Sequence, residues 1–237
     1  MSRINYIFDR MDEWRHLPNY QLERRADLFF SLYLPEVLEA KLGFSVRQEL
    51  IPEFPVHKGT IYPDELSNKS FKIDYLALSD DAEKAVFVEL KTDKLSIRHE
   101  QDKYLTAAQR VGMKHLLVGL REIFRATESK RKYFHLLEKL ESMELLKIHD
   151  DIKNIMKHPH LQGVNEESHY IEITSRVKDP ATIVYVQPNG SEKSEANIII
   201  ISFQEFRAIV KKHNDPISKR FAQSLSEWAQ VKAGEKT

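Results

Sequence analysis

Hydrophobic positions recur at two periods along the chain, and the change of period marks out the elements. From Tyr20 to Phe30 the apolar residues fall at three- and four-residue steps, which predicts a helix with Asn19 as its N-cap. Pro35 to Leu42 predicts a further helical turn or two, closed by Gly43. Ser45 to Phe54 reads as a first strand, and Pro55 to Ser70, with two prolines and a glycine, as a loop. Phe71–Leu78 and Ala85–Lys91 are apolar, strand-forming runs on either side of the polar turn Ser79–Lys84, which predicts a β-hairpin. A helix from Ser96 to about Arg110 follows, with Gln101, Tyr104, Leu105 and Ala108 along one side. Met113 to Lys157 keeps helical periodicity through Leu145, Leu146 and Ile148, in two main helices and a short third, with a break near Thr127–Lys130. His158–Ser168 is a loop, and Tyr170–Thr174, Ala181–Gln187 and Asn197–Phe203 are strand-like. The last carries four consecutive isoleucines, a run suited to a central buried strand. Pro188-Asn189-Gly190 forms a turn, and Gln204–Lys212 and Pro216–Val231 are closing helices.

This order predicts an α/β fold, a mixed central sheet flanked by helices with a hairpin inside it. We expect one domain over residues 1–237, elaborated by a helical insertion at 113–160. The chain has 237 residues and is 41% hydrophobic, enough to bury a core.

The hairpin is unusual because it sets acids inside apolar strands. Folding the chain about the middle of Ser79–Lys84 puts Asp74 opposite Glu89. Directly opposed residues of an antiparallel pair sit about 5 Å apart, where like charges repel. Hairpin stability does not call for that pairing, but a divalent cation does. Lys91 projects from the same face as Glu89 by the two-residue period. Two carboxylates and an ammonium suggest phosphate chemistry. The competing reading is a solvated hairpin edge, with these residues in surface ion pairs.

Composition narrows the chemistry. Lys plus Arg equals Asp plus Glu at 36 each, so a nucleic-acid contact must come from a local patch. The densest one is Lys130-Arg131-Lys132 with Arg121 and Arg125, which reads equally as a solvated helix–helix turn. The absence of cysteine removes disulfides, thiolate zinc sites and cysteine nucleophiles. Met1–Arg15 mixes charges with aromatics and shows no apolar leader segment, and no run approaches about 20 apolar residues, so we expect a cytoplasmic protein without a membrane partner. No Gly-rich phosphate loop, Gly-x-Ser-x-Gly elbow or zinc-protease helix motif occurs. His158-Pro159-His160 offers two imidazoles, with no third ligand near them in sequence.

Helix, strand, strand with Ile73-Asp74, strand with Val86-Phe87-Val88-Glu89-Leu90-Lys91, then a helix with Gln101 and Tyr104: this series resembles the PD-(D/E)XK nuclease superfamily over roughly Tyr20 to Arg110. The resemblance implies a restriction-endonuclease-like αβββαβ core. It also implies Mg²⁺ or Mn²⁺ held by Asp74 and Glu89 with the Leu90 carbonyl, and Lys91 orienting water or steadying the phosphate. Gln101 and Tyr104 are similar to the Gln-x-x-Tyr element of exonuclease-type members. Glu23 is similar to the early helix glutamate of Holliday-junction resolvases, with Glu36 as its competitor. A literal Pro63-Asp64 lies upstream, but its polar neighbours describe a loop. Glu39-Ala40-Lys41, Glu128-Ser129-Lys130 and Asp151-Ile152-Lys153 repeat the acid-x-Lys spacing in helical context.

The expected activity is therefore metal-dependent hydrolysis of DNA phosphodiesters, with a homodimer left open. Two alternatives stand beside it. One is a nuclease-fold module that binds nucleic acid or protein without cutting, and the other is a structural or regulatory protein with no nucleic-acid partner.

Overall fold

The computed structural model describes residues 2–65, 69–92, 99–157, 171–190 and 198–230, the side chains of 99–101 excepted. The helices are α1 (Arg3–Trp14), α2 (Glu23–Ser31), α3 (Leu34–Leu42), α4 (Lys58–Ile61), α5 (His99–Val111), α6 (Met113–Ala126), α7 (Lys130–Ser142), α8 (Asp150–Lys157), α9 (Phe203–Val210) and α10 (Pro216–Ala229). The strands are β1 (Ile51–His57), β2 (Ser70–Leu78), β3 (Ala85–Leu90), β4 (Leu146–Ile148), β5 (Ile171–Ile173), β6 (Thr182–Gln187) and β7 (Ile198–Ser202). Five strands form a mixed central sheet in the order β1-β2-β3-β6-β7, flanked by helices, and β4 and β5 form a separate two-stranded sheet. The α/β class expected from the sequence is the class observed.

The chain divides into two compact units. The first comprises the described residues of Met1–Val46, Val88–Arg98 and Val184–Thr237. Its core is aromatic: Phe30 lies 5.4 Å from Phe203, 5.0 Å from Phe206 and 5.2 Å from Phe221, ring centre to ring centre. Edge-on and tilted contacts of this kind add stability beyond the area they bury. Helix α1, over a segment to which the sequence assigned no element, begins at Ser2, whose hydroxyl accepts from the Asn5 amide, and buries Phe8 and Met11 one turn apart. Asp12 fixes it to α10 by accepting from Trp228 Nε1 at 2.7 Å and from Arg220 Nη2 at 2.5 Å. Asn19 does not cap α2: its backbone is left-handed at φ 61°, and Leu22 holds the cap position. Gly43 does close α3, at φ 73°. Ser202 and Glu205 form a reciprocal capping box on α9, and Asp215 caps α10 ahead of Pro216.

The second unit comprises the described residues of Arg47–Phe87 and His99–Ile183. Here β1 pairs antiparallel with β2, Phe54 against Ile73 and Val56 against Phe71. The expected loop from Pro55 is therefore partly strand, and the first strand begins later than Ser45. Pro52 and Pro55 are tolerated because β1 is the last strand of the sheet, where a missing ladder donor is harmless. Helix α6 buries Leu116, Leu117, Leu120 and Phe124. The helical period expected through Ile148 fails after α7. Glu144 turns left-handed at φ 64°, and Leu146-Lys147-Ile148 then alternates buried, exposed, buried as β4, paired with β5. A second expectation also fails. The isoleucine run of β7 is not central: it stands at the end of the sheet order, with Ile198 to Ile200 half-buried.

Candidate functional site

Strand β3 is buried along its whole length, Glu89 included. That carboxylate has 0% exposure, Lys91 has 4%, and Lys91 Nζ lies 3.1 Å from Glu89 Oε2. The period-2 geometry of an extended chain accounts for the contact, since residues two apart share a face. The Lys91 amide donates to the Val186 carbonyl at 2.8 Å, which extends the backbone pairing past the last residue of β3 and anchors the lysine. The solvated-edge alternative is thereby corrected for Glu89 and Lys91, because neither is at the surface.

Thr92, 3% exposed, donates from Oγ1 to Glu23 Oε2 at 2.8 Å. This bond brings the first residue of α2 to the end of β3 across a long sequence separation. Glu36 lies elsewhere: it is half-buried and paired with His213 at 3.1 Å. Of the two glutamates in competition, only Glu23 reaches the segment that carries Glu89 and Lys91. Sequence reasoning missed Thr92. Its position directly after the acid-x-Lys triplet was the available signal.

In the second unit, Asp74 is half-buried on β2. The hairpin turn is closed by the Ser79 amide donating to the Lys84 carbonyl at 3.0 Å, the Ser79 hydroxyl accepting from the Lys84 amide at 2.9 Å. Asp64 sits exposed in a turn and is not a strand residue. Tyr104 is a packing residue, stacked on Phe71 at 4.6 Å with its hydroxyl donating to the Lys72 carbonyl. Gln101 falls on α5, but its side chain lies outside the described residues, as do His158, Pro159 and His160. Glu39 and Lys41 lie in α3 and Asp151 and Lys153 in α8, as their periodicity predicts.

The basic cluster is largely committed to carbonyl oxygens. Lys130 Nζ donates to the Phe124 and Arg125 carbonyls at 2.5 and 2.6 Å, closing the C-terminus of α6, and burial pushes its ammonium below the ordinary lysine range. Arg121 and Arg131 reach the Ile171 and Met156 carbonyls, and Arg125 pairs with Glu122.

Glu89, Asp74 and the Leu90 carbonyl are hard oxygen donors of the kind Mg²⁺ accepts, and such an ion commonly takes only one or two carboxylates. Among the described residues no group of three or more His, Cys, Asp or Glu side chains is gathered to hold a metal. Among them, too, no helix is long and apolar enough to cross a membrane. Comparison with protein-family models, curated proteins and solved structures returned no match.

Proposed function

We propose that the chain is a metal-dependent phosphodiesterase acting on DNA, with a restriction-endonuclease-like core. The observation that carries the reading is the buried Glu89–Lys91 pair at the end of a central strand. Burying two charges costs several kcal/mol, by order of magnitude, and the same volume filled by apolar side chains is commonly at least as stable. We read the place of this pair within an otherwise apolar strand as serving chemistry rather than stability. In this reading Asp74 is the partner carboxylate, since in the sequence it lies as far before the centre of the Ser79–Lys84 turn as Glu89 lies after it.

Mg²⁺ or Mn²⁺ would be held by Asp74, Glu89 and the Leu90 carbonyl, and supplies, when bound, an acidified water and positive charge at the phosphate. Lys91 holds the Glu89 carboxylate in one orientation and brings a fixed ammonium to the same place, where it opposes the charge that develops on the phosphoryl oxygens. Thr92 holds Glu23 beside this segment as a further carboxylate able to orient water. Gln101 assists at the phosphate or the nucleophile. Calorimetric titration with Mn²⁺ tests the site. The wild type is expected to give heat that Asp74→Ala and Glu89→Ala lose, and equal heats from all proteins would sink the assignment.

The same pair supports a second reading. An ammonium 3.1 Å from Glu89 already neutralises the carboxylate that a metal would use. A protein built to bind DNA without cutting it would keep that pair closed. Incubation with single-stranded, duplex and branched DNA in Mn²⁺ separates the readings, since retention without hydrolysis on every substrate favours the module.

A further inference from the structure

In the first unit, α9 and α10 leave a groove of about 550 Å³ on one side of their junction. Arg207, Lys211, His213 and Lys219 line it, opposed by Glu227 alone among the acids of the lining. The chain as a whole carries no net charge, so a groove in which cations outnumber carboxylates is a local departure. Its cations are also differently placed from those of the 121–132 cluster. Among the described residues, no carboxylate lies within ion-pairing distance of Arg207, Lys211 or Lys219, whereas His213 is paired with Glu36. Arg207 is held in place by Nε donating to the Ala222 carbonyl of α10 at 2.9 Å. Asp215, at the start of α10, spends its carboxylate on the Ile217 and Ser218 amides, so the groove's positive character rests on side chains rather than on an open helix end.

The neutral part of the lining is informative as well. Asn214, Gln223 and Ser226 are hydrogen-bonding side chains, and Ala222 is the only apolar residue present. A protein partner commonly brings an aromatic or aliphatic anchor, and Ala222 is the one apolar side chain of the lining to receive it. What matches cations interleaved with neutral donors is a run of phosphates and sugars, the contacts that position a nucleic acid without reading its sequence.

We propose that the α9–α10 groove binds the phosphodiester backbone of a nucleic-acid strand through Arg207, Lys211 and Lys219. The choice of DNA as ligand rests on the phosphodiesterase reading; the groove's charge and lining do not. It would supply a local cationic surface on a chain with no net charge.

The test is fluorescence polarisation of labelled 20-mer DNA and RNA strands of one sequence against the full chain, without divalent metal, from about 50 to 200 mM salt. Lys211→Gln with Lys219→Gln is compared with a control of equal charge loss, Lys132→Gln with Lys157→Gln. The groove variant is expected to bind roughly tenfold or more weakly and to lower the slope of log affinity against log salt by about two. The control is expected to bind as the wild type does. Equal affinities for the groove variant and the wild type would overturn the proposal, and so would an equal loss in the control or tighter binding of polyglutamate than of either strand. Cleavage of the DNA strand by the wild type in Mn²⁺ is read separately. Absence of cleavage removes the phosphodiesterase reading and leaves the groove standing on its binding data. Cleavage with unchanged binding in the groove variant does the reverse.

Discussion

One ion-pair cluster of the second unit and one ion pair of the first stand in opposite environments. In the second, Glu144 takes Arg47 at 2.8 Å and Arg176 at 2.7 Å, with the glutamate side chain 53% exposed. In the first, Lys91 and Glu89 sit 3.1 Å apart with almost no exposure. The exposed cluster has the shorter contacts, yet exposed pairs are worth only about 0–1 kcal/mol because water competes and the side chains lose freedom. The buried pair has the longer contact and the larger stake, since removing one partner strands a charge in an apolar interior. Burial, more than distance, ranks these interactions. It also separates a cluster whose presence surface stability explains from a pair whose presence stability does not explain.

The largest effect we expect comes from breaking the buried pair one side at a time. Lys91→Met leaves Glu89 uncompensated and should cost about 3–5 kcal/mol in urea unfolding. Glu89→Leu combined with Lys91→Met removes both charges, and should recover that loss or exceed wild-type stability by about 1–4 kcal/mol. DNA cleavage should be abolished in all of these proteins. A double variant no more stable than Lys91→Met would show that the pair is structural, and the contrast between the units would lose its functional meaning.

Much of this contrast is visible in the sequence. Glu89 and Lys91 announce themselves by standing inside an apolar strand, and both edges of the hairpin fall where the turn residues put them. Other features depend on the finished sheet. Pro55 looks like a loop residue until β1 is known to be an end strand, and the isoleucines of β7 look central until the strand order is known. Leu146-Lys147-Ile148 is too short for its two-residue period to show within a helical stretch, and the left-handed Glu144 that separates them has no marker residue such as glycine. The Glu23–Thr92 bond joins residues far apart in the chain, and periodicity carries no information at that range.

That bond gives a smaller prediction, which asks how far the buried pair's influence extends. Thr92→Val keeps the shape and removes the donor to Glu23, at a cost of about 1–2 kcal/mol in stability. If Glu23 works with Glu89 and Lys91, kcat should fall about tenfold and Thr92→Ser should restore it. A stability loss with unchanged kcat would return Glu23 to the ordinary surface of α2.

The smallest effect belongs to the exposed cluster and is read through pH. The hydrogen bond and charge of Arg47, reinforced by Arg176, hold the Glu144 carboxyl below its usual range. The unfolded chain titrates such a group near about 4.3. A carboxyl whose folded value is depressed contributes stability above the unfolded value and loses it as pH falls through the folded one. Arg47→Gln should therefore lower Tm slightly at pH 7, and part of that difference should vanish as pH falls below about 4. The remainder should persist, because Arg47 also donates to the Asp80 and Met143 carbonyls, which do not titrate in this range. A Tm difference that is flat from pH 7 to pH 3 would assign Arg47's contribution to those carbonyls alone. The exposed carboxylate would then contribute nothing measurable, and the distance between the two kinds of ion pair would be wider than their geometry implies.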